Sequence, residues 1–450
     1  MGYVVIIGQF FLSLSILIIL HEMGHFFPAK WFNTRVEKFY LFFDAGFSLF
    51  KHKVGETEYG IGWLPLGGYV KIAGMIDESM DLEQMKQEPQ PWEFRSKPAW
   101  QRLIIMLGGV TVNFILGFFL FGMVLWTWGE EYLPAKNVKY GIYADSLGMD
   151  LGLQDGDHIL AIDDKAFIKF SDRIVLREIV INDAKTITVE RNGEEKKIPI
   201  DPKFVEILSS HANKGKSLFI ARTPFVAKAL VKDSPAEKAG IQANDKIISY
   251  NGTPTPFFTD FYLKAKKNPN AKVVVGLIRN DKDTLQLSMT ASENGTIGVY
   301  PFGPSHFFDT EREDYTFAEA MPAGVKKGYH FLTDQIKAFG QMFKGKIKVT
   351  ESLGGFGAIA GLFSNSWEWE SFWRVTAILS LILGFMNLLP IPALDGGHVM
   401  FLLWEIVTGK KPSDKFMEYA TIAGFALIIG LVIFANGLDI WRMIKGWLGS

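Results

Sequence analysis

Ser15-Ile16-Leu17-Ile18-Ile19-Leu20-His21-Glu22-Met23-Gly24-His25 is the stretch on which the reading of this chain turns. It joins an apolar run from Tyr3 to Leu20, with Gln9, Ser13 and Ser15 as its polar interruptions, to two histidines four residues apart. At 1.5 Å per residue a helix of that length can cross roughly 30 Å of hydrocarbon. On such a helix His21 and His25 share a face, so both imidazoles can reach one ion. Zinc accepts two neutral histidines, and a catalytic site needs one further protein ligand with water in the remaining position. Glu22, beside them, has the chemistry to take a proton from water as it attacks a carbonyl. The plainer alternative is a histidine pair satisfied by backbone carbonyls at a helix end. Against it, ionisable groups inside a membrane segment are costly and usually functional.

Outward from this stretch the pattern is a membrane protein with a large soluble insert. Three more runs are long enough to span: Leu103 to Trp126, Val375 to Leu394, and about Tyr419 to Ala435. The chain opens Met-Gly-Tyr with no positive charge before the apolar run and no small-residue cleavage site after it, so the first span is expected to be an uncleaved helix. Lys30, Arg35, Lys38, Lys51 and Lys53 follow the first span, and Arg95, Lys97 and Arg102 precede the second. Lys410, Lys411 and Lys415 lie between the third and fourth. Basic loops stay cytoplasmic, which puts both termini and residues 129–372 outside; Arg442 and Lys445 pull the other way.

Composition narrows the classes. The 450 residues are 48% hydrophobic, too apolar for disorder. Lys+Arg is 47 against Asp+Glu 48, so no global field favours nucleic acid. With Cys at 0, a disulfide scaffold, a Cys-ligated zinc site and a thiol nucleophile are all excluded.

The insert repeats itself. Asp145-Ser146, Gly152-Leu153-Gln154, Asp157 and Ile159 recur as Asp233-Ser234, Gly240-Ile241-Gln242, Asp245 and Ile247, at a constant offset of 88 residues. That is a domain duplication, being longer than any solenoid period. Each copy has a Gly-apolar turn followed by an alternating strand, and the second closes on Asn251-Gly252. The pattern resembles PDZ domains of bacterial protease-associated type, which add extended peptide to a sheet edge. The first copy departs at Leu147, where the second has Pro235, and at Asp163-Asp164, where the second has Asn-Gly. After the insert, Met321, Val325, Tyr329, Leu332, Ile336, Phe339 and Phe343 mark an amphipathic helix with Lys326, Lys327, Lys337 and Lys344. It is expected either flat on the outer leaflet or packed on the second soluble domain.

A third metal ligand has to come from elsewhere. The third run ends Asn387-Leu388-Leu389-Pro390-Ile391-Pro392-Ala393-Leu394-Asp395-Gly396-Gly397-His398. Two prolines two apart break the helix, and Gly396-Gly397 is expected to loosen the residues beyond it. An unwound polar stretch at membrane depth persists only where it lines a cavity or a ligand site. By chemistry alone Asp395 and His398 are both candidate donors. Gly60 to Ala73 alternates enough for an exposed strand or hairpin, in which Gly67-Gly68 permits a sharp turn or close backbone approach.

With these residues on view, the chain resembles the site-2 protease family of intramembrane zinc metalloproteases. The resemblance rests on HExxH in a first membrane helix, Asn-x-x-Pro-x-Pro-x-Leu-Asp-Gly-Gly in a late one, tandem PDZ-like domains between, and Leu64-Pro65-Leu66-Gly67-Gly68-Tyr69-Val70-Lys71, similar to the family's membrane-associated β-loop. It implies zinc held by His21, His25 and Asp395, Glu22 as general base, and Asn387 near the substrate or its developing oxyanion. Gly67, Gly68, Tyr69 and Val70 become the candidate substrate-binding edge. The implied substrates are single-span membrane proteins, namely anti-sigma factors already trimmed outside and leftover signal peptides. The implied location is the bacterial inner membrane, multi-pass, with the PDZ-like pair periplasmic and the active site toward the cytoplasm. Membrane lipid and peptide termini at the PDZ-like domains complete the expected partners.

The expected architecture is then a multi-span α-helical membrane protein with about four transmembrane helices, a membrane-associated β-loop and two inserted PDZ-like β-rich domains. Its segments are 1–130, membrane core; 131–218 and 219–305, the PDZ-like copies; 306–370, amphipathic connection; and 371–450, membrane core again. Two departures from the family's pattern stand out: Gly109-Val110 ahead of Asn113, and Gly355-Phe356, each in place of Gly-Pro. Rival readings are a membrane scaffold with structural zinc, against which Glu22 argues, and a metal-gated transporter, which lacks an inverted repeat.

Overall fold

The computed structural model describes residues 2–65, 67–75 and 88–448; Leu66 of the Gly-Gly loop lies outside them. Contacts divide the chain into two units. One comprises residues up to Gly129, Asp314–Ile336 and Leu353 onward; the other comprises Glu130–Glu313 and Lys337–Ser352.

The first unit is helical with one small sheet. Among the described residues, three helices are long and apolar enough to cross a membrane: α1 (Gly2–Trp31), α2 (Ala99–Trp128) and residues Lys415–Lys445 within the C-terminal helix. The third expected span does not run from Val375 to Leu394. It is a 19-residue helix, Trp369–Asn387, whose first two turns carry Glu370 and Arg374. Residues 388–394 leave the helix, and a new one starts at Asp395 and runs to Thr408. Pro390 and Pro392 supply no amide hydrogen for an i−4 bond, which explains the break. Gly396-Gly397 does not loosen the residues beyond it. Both glycines belong to the first turn of the new helix, where a Cβ would collide with the backbone of Leu388, Leu389 and Ile391 folded back over it.

α1 and α2 touch backbone to backbone, because a Cβ on Gly24 or Gly108 would occupy the other helix's carbonyl. Small residues at a crossing permit such approach between apolar helices. The expected amphipathic helix forms as α3 (Phe317–Phe343). In its N-terminal half the buried face is Ala320, Gly324 and Gly328, set against Gly122 and Phe118 of α2. The apolar stripe read from the sequence is largely exposed at Val325, Tyr329, Ile336 and Phe343. The first half of this helix therefore packs its small residues on α2 and leaves much of its apolar stripe outward.

The sheet has strands β1 (Val36–Leu41), β2 (Phe43–Val54), β3 (Thr57–Leu64) and β4 (Tyr69–Ile72) in the order β2-β3-β1-β4. Gly60 to Ala73 is thus not a hairpin. β1 lies between β3, to which it is parallel, and β4, to which it is antiparallel. β4 is an edge strand, and it is half-buried: Val70 and Ile72 join Ala29 of α1 and Ile105 of α2 in one apolar cluster.

The second unit holds two β-rich copies, each with its own core. Leu153, Ile159, Ile187 and Val189 of the first correspond at the 88-residue offset to Ile241, Ile247, Val275 and Leu277 of the second. Buried Asp157 pairs with both Arg191 Nε and Nη2, whose Nη2 also donates to the Gly152 carbonyl. Asp245, Arg279 and Gly240 repeat the arrangement at the same spacing. The first copy's Asp163 does what Asn251 does in the second. Both have φ near +50°, and their side-chain oxygens accept from Thr186 N and Val274 N respectively. The longer of this unit's two stretches, Glu130–Glu313, begins and ends in paired strands, Glu130–Tyr132 against Glu311–Glu313.

Candidate metal centre

α1 continues six residues past His25, so the HExxH residues sit inside a helix and not at its end. His21, Glu22 and His25 are all buried. The break after Asn387 carries Asp395 to the first turn of its own helix, where the amide ends favour a carboxylate. Just before it, Ala393 holds φ of +99°, a strained value for a residue with a Cβ.

These elements bring three donor atoms together. His25 Nε2 lies 3.3 Å from His21 Nε2, and Asp395 Oδ2 lies 3.3 Å from the His25 nitrogen and 3.4 Å from that of His21. Among the described residues this is the group of three such donors close enough to share an ion. His398, the other candidate, is buried one turn further along and is not part of it.

The donor set fits zinc. An ion about 2.0–2.1 Å from each atom, with near-tetrahedral angles, requires donor separations of roughly 3.3–3.4 Å. The protonation pattern agrees. His25 Nδ1 lies 2.8 Å from the Ile105 carbonyl, an acceptor only, so this nitrogen carries the hydrogen and Nε2 presents a lone pair to the carboxylate. A cation or a proton has to lie between them. Asp395 Oδ2 is buried without a conventional hydrogen bond.

The surroundings are built for closeness. Gly109 of α2 faces both rings, and a Cβ there would strike His25 Nε2 and His21 Cε1. Asn113, fully buried, sets its Nδ2 2.9 Å from His21 Nδ1. Asn387 Nδ2 lies 3.2 Å from His21 Nε2, so this residue adjoins the donor triangle. The Val70 backbone lies beside the Glu22 side chain. Gly68 packs so tightly on Ile18 and the Tyr40 carbonyl that a Cβ would not fit. Tyr69, by contrast, has its ring stacked between Tyr40 and Phe43 and its hydroxyl donating to Asp44 Oδ1 at 2.8 Å. That side chain braces the sheet.

Sequence reasoning passed over Gly109, the Ile105 carbonyl and the role of Asn113. A signal was present: 105, 109 and 113 are four apart, hence on one face of α2.

The model of peptidase family M50 matches residues 9–431. The chain belongs to that family, the site-2 proteases. It is similar to the regulator of sigma E protease of Haemophilus influenzae, 27% identical over 458 residues covering 98% of this chain and 100% of that one. The regulator of sigma-E protease RseP of Escherichia coli K12 is 27% identical over 450 residues, covering 95% and 97%. A Rickettsia conorii protein whose name includes the words zinc metalloprotease is 29% identical over 449 residues, covering 98% and 99%. As a family M50 member the chain is a zinc metalloprotease of regulated intramembrane proteolysis.

Proposed function

We propose that the chain is an endopeptidase that cuts single-span membrane proteins within or beside their transmembrane segment, with zinc held by His21, His25 and Asp395. The observation that carries this is the triangle of donor atoms from two separate helices, its edges the length zinc requires, next to a buried glutamate. Zinc, when bound, acts as a Lewis acid on a carbonyl and lowers the pKa of water. Glu22 takes the proton of the attacking water and passes it to the leaving amine. Asn387, beside the triangle, offers an amide to the substrate or its developing oxyanion. The backbone of Gly67–Val70, leading into edge strand β4, holds an unwound substrate segment extended by strand addition.

In this reading Trp369–Asn387 is a fourth membrane helix, and the site lies toward the cytoplasmic side of a bacterial inner membrane. The two β-rich copies are PDZ-like domains on the periplasmic side. They either exclude substrates with bulky outer domains or recruit peptide ends made by a prior cut. Substrates are an anti-sigma factor after such trimming, and remnant signal peptides. The two relatives named for sigma-E regulation support the first.

The test is cleavage of a single-span substrate by purified protein in detergent. Glu22→Gln is expected to lose about 100-fold or more in rate while keeping its zinc, and a chelator to abolish cleavage in the parent. Cleavage that survives both would refute the metalloprotease assignment of these residues.

A further inference from the structure

His21 is the ligand whose orientation the backbone does not fix. His25 Nδ1 has the Ile105 carbonyl, which no substitution removes. His21 Nδ1 has Asn113, at 0% exposure and eight residues further along the same face of α2. As oriented, Asn113 Nδ2 and Asn387 Nδ2 approach the two nitrogens of His21 at 2.9 Å and 3.2 Å. A neutral imidazole has one N–H and one lone pair and cannot accept at both. One of the two amides is therefore reversed, an exchange of O and N that leaves the side-chain position unchanged. Asn113 Oδ1 is meanwhile buried without a partner.

The choice between the amides is set by the donor triangle. It is His21 Nε2 that faces Asp395 and His25, so Nε2 needs the lone pair and Nδ1 the hydrogen. We propose that Asn113 is a positioning residue: its Oδ1 accepts the Nδ1 hydrogen of His21 and fixes the tautomer and ring angle that aim Nε2 at zinc. This rests on the zinc site proposed above. The Asn113 backbone is itself held, since Ser380 Oγ donates to its main-chain carbonyl at 2.7 Å, and Gly384 of the facing helix leaves room beside its Cβ. Partners of this kind typically contribute 10- to 100-fold to metal affinity.

The experiment measures zinc affinity of the full chain in detergent by competition with a chromogenic chelator, apart from any cleavage. Asn113→Leu keeps the side chain's shape and removes the acceptor; Asn113→Asp keeps an acceptor and no donor. The expected result is a 10- to 100-fold loss for Leu and affinity within about threefold of the parent for Asp. Parent-like affinity in Leu, or equal losses in both, overturns the proposal. Should Leu not fold, Asn113→Ala carries the same comparison with Asp. His21→Ala separates the two levels of argument: if it binds zinc as tightly as the parent, the site itself is misassigned.

Discussion

A single hydrogen atom at Gly109 decides how near α2 can lie to the two histidines. The rings of His21 and His25 occupy the volume that any side chain there would fill. Gly109→Ala should leave α2 helical, alanine being the best helix former, yet push the rings off the donor triangle. We expect zinc affinity to fall at least tenfold, read as zinc retained per protein after gel filtration beside a thermal unfolding trace. Parent-like zinc content would mean that the α1/α2 crossing is looser than described. The same position explains why the departure from the family's Gly-Pro at Val110 is tolerable. The glycine that makes the room is kept, while Val110 simply packs in the interior.

Between neighbouring elements, legibility tracked the range of the interaction. The closeness of His21 and His25 could be read because helix periodicity alone puts them on one face, with Glu22 next to them in sequence. The break at Pro390 and Pro392 could be read because proline acts locally. The purpose of Gly396-Gly397 could not, since it depends on residues 388–391 folding back over the new helix. Nor could the place of β4, because nothing in Gly60 to Ala73 shows that β1 will lie between its two halves. In the second unit the equivalence of Asp163 and Asn251 was hidden by a difference in residue type. Both tolerate positive φ and both cap a strand, so the first copy is less divergent than it reads. β4 brings its own consequence. Val70 lies on edge strand β4, so proline there takes an amide hydrogen from the edge proposed to pair with substrate. Val70→Pro should lower cleavage about 100-fold with zinc content intact. Unchanged cleavage would refute strand addition at this edge, and lost zinc would show that the strand supports the ligands as well.

For the whole molecule the open question is what the β-rich unit does for a site formed entirely by the other unit. The topology supplies a clean test. Glu130–Tyr132 and Glu311–Glu313 are ladder partners, so the stretch that carries both copies ends beside the point where it began. Partners in an antiparallel ladder are about 4.5–5.5 Å apart at Cα, a gap that two turn residues close. Replacing residues 133–310 with Asn-Gly should therefore keep the ribbon and remove both copies. One correction has to travel with it. Ile347 is 4% exposed because it packs into the core of the first copy, and excision would leave it bare. Ile347→Ser in the same variant removes that aggregation risk. Because His21, His25 and Asp395 lie outside the deleted stretch, the variant is expected to bind zinc like the parent. Substrates with and without a folded outer domain then separate the two roles. A size filter predicts that the deleted form cleaves both, at least tenfold faster than the parent on the bulky one. A recruiter predicts at least tenfold slower cleavage of the trimmed substrate and no gain on the bulky one. Equal rates for parent and deletion on both substrates would mean that the duplicated unit acts on neither access nor recruitment.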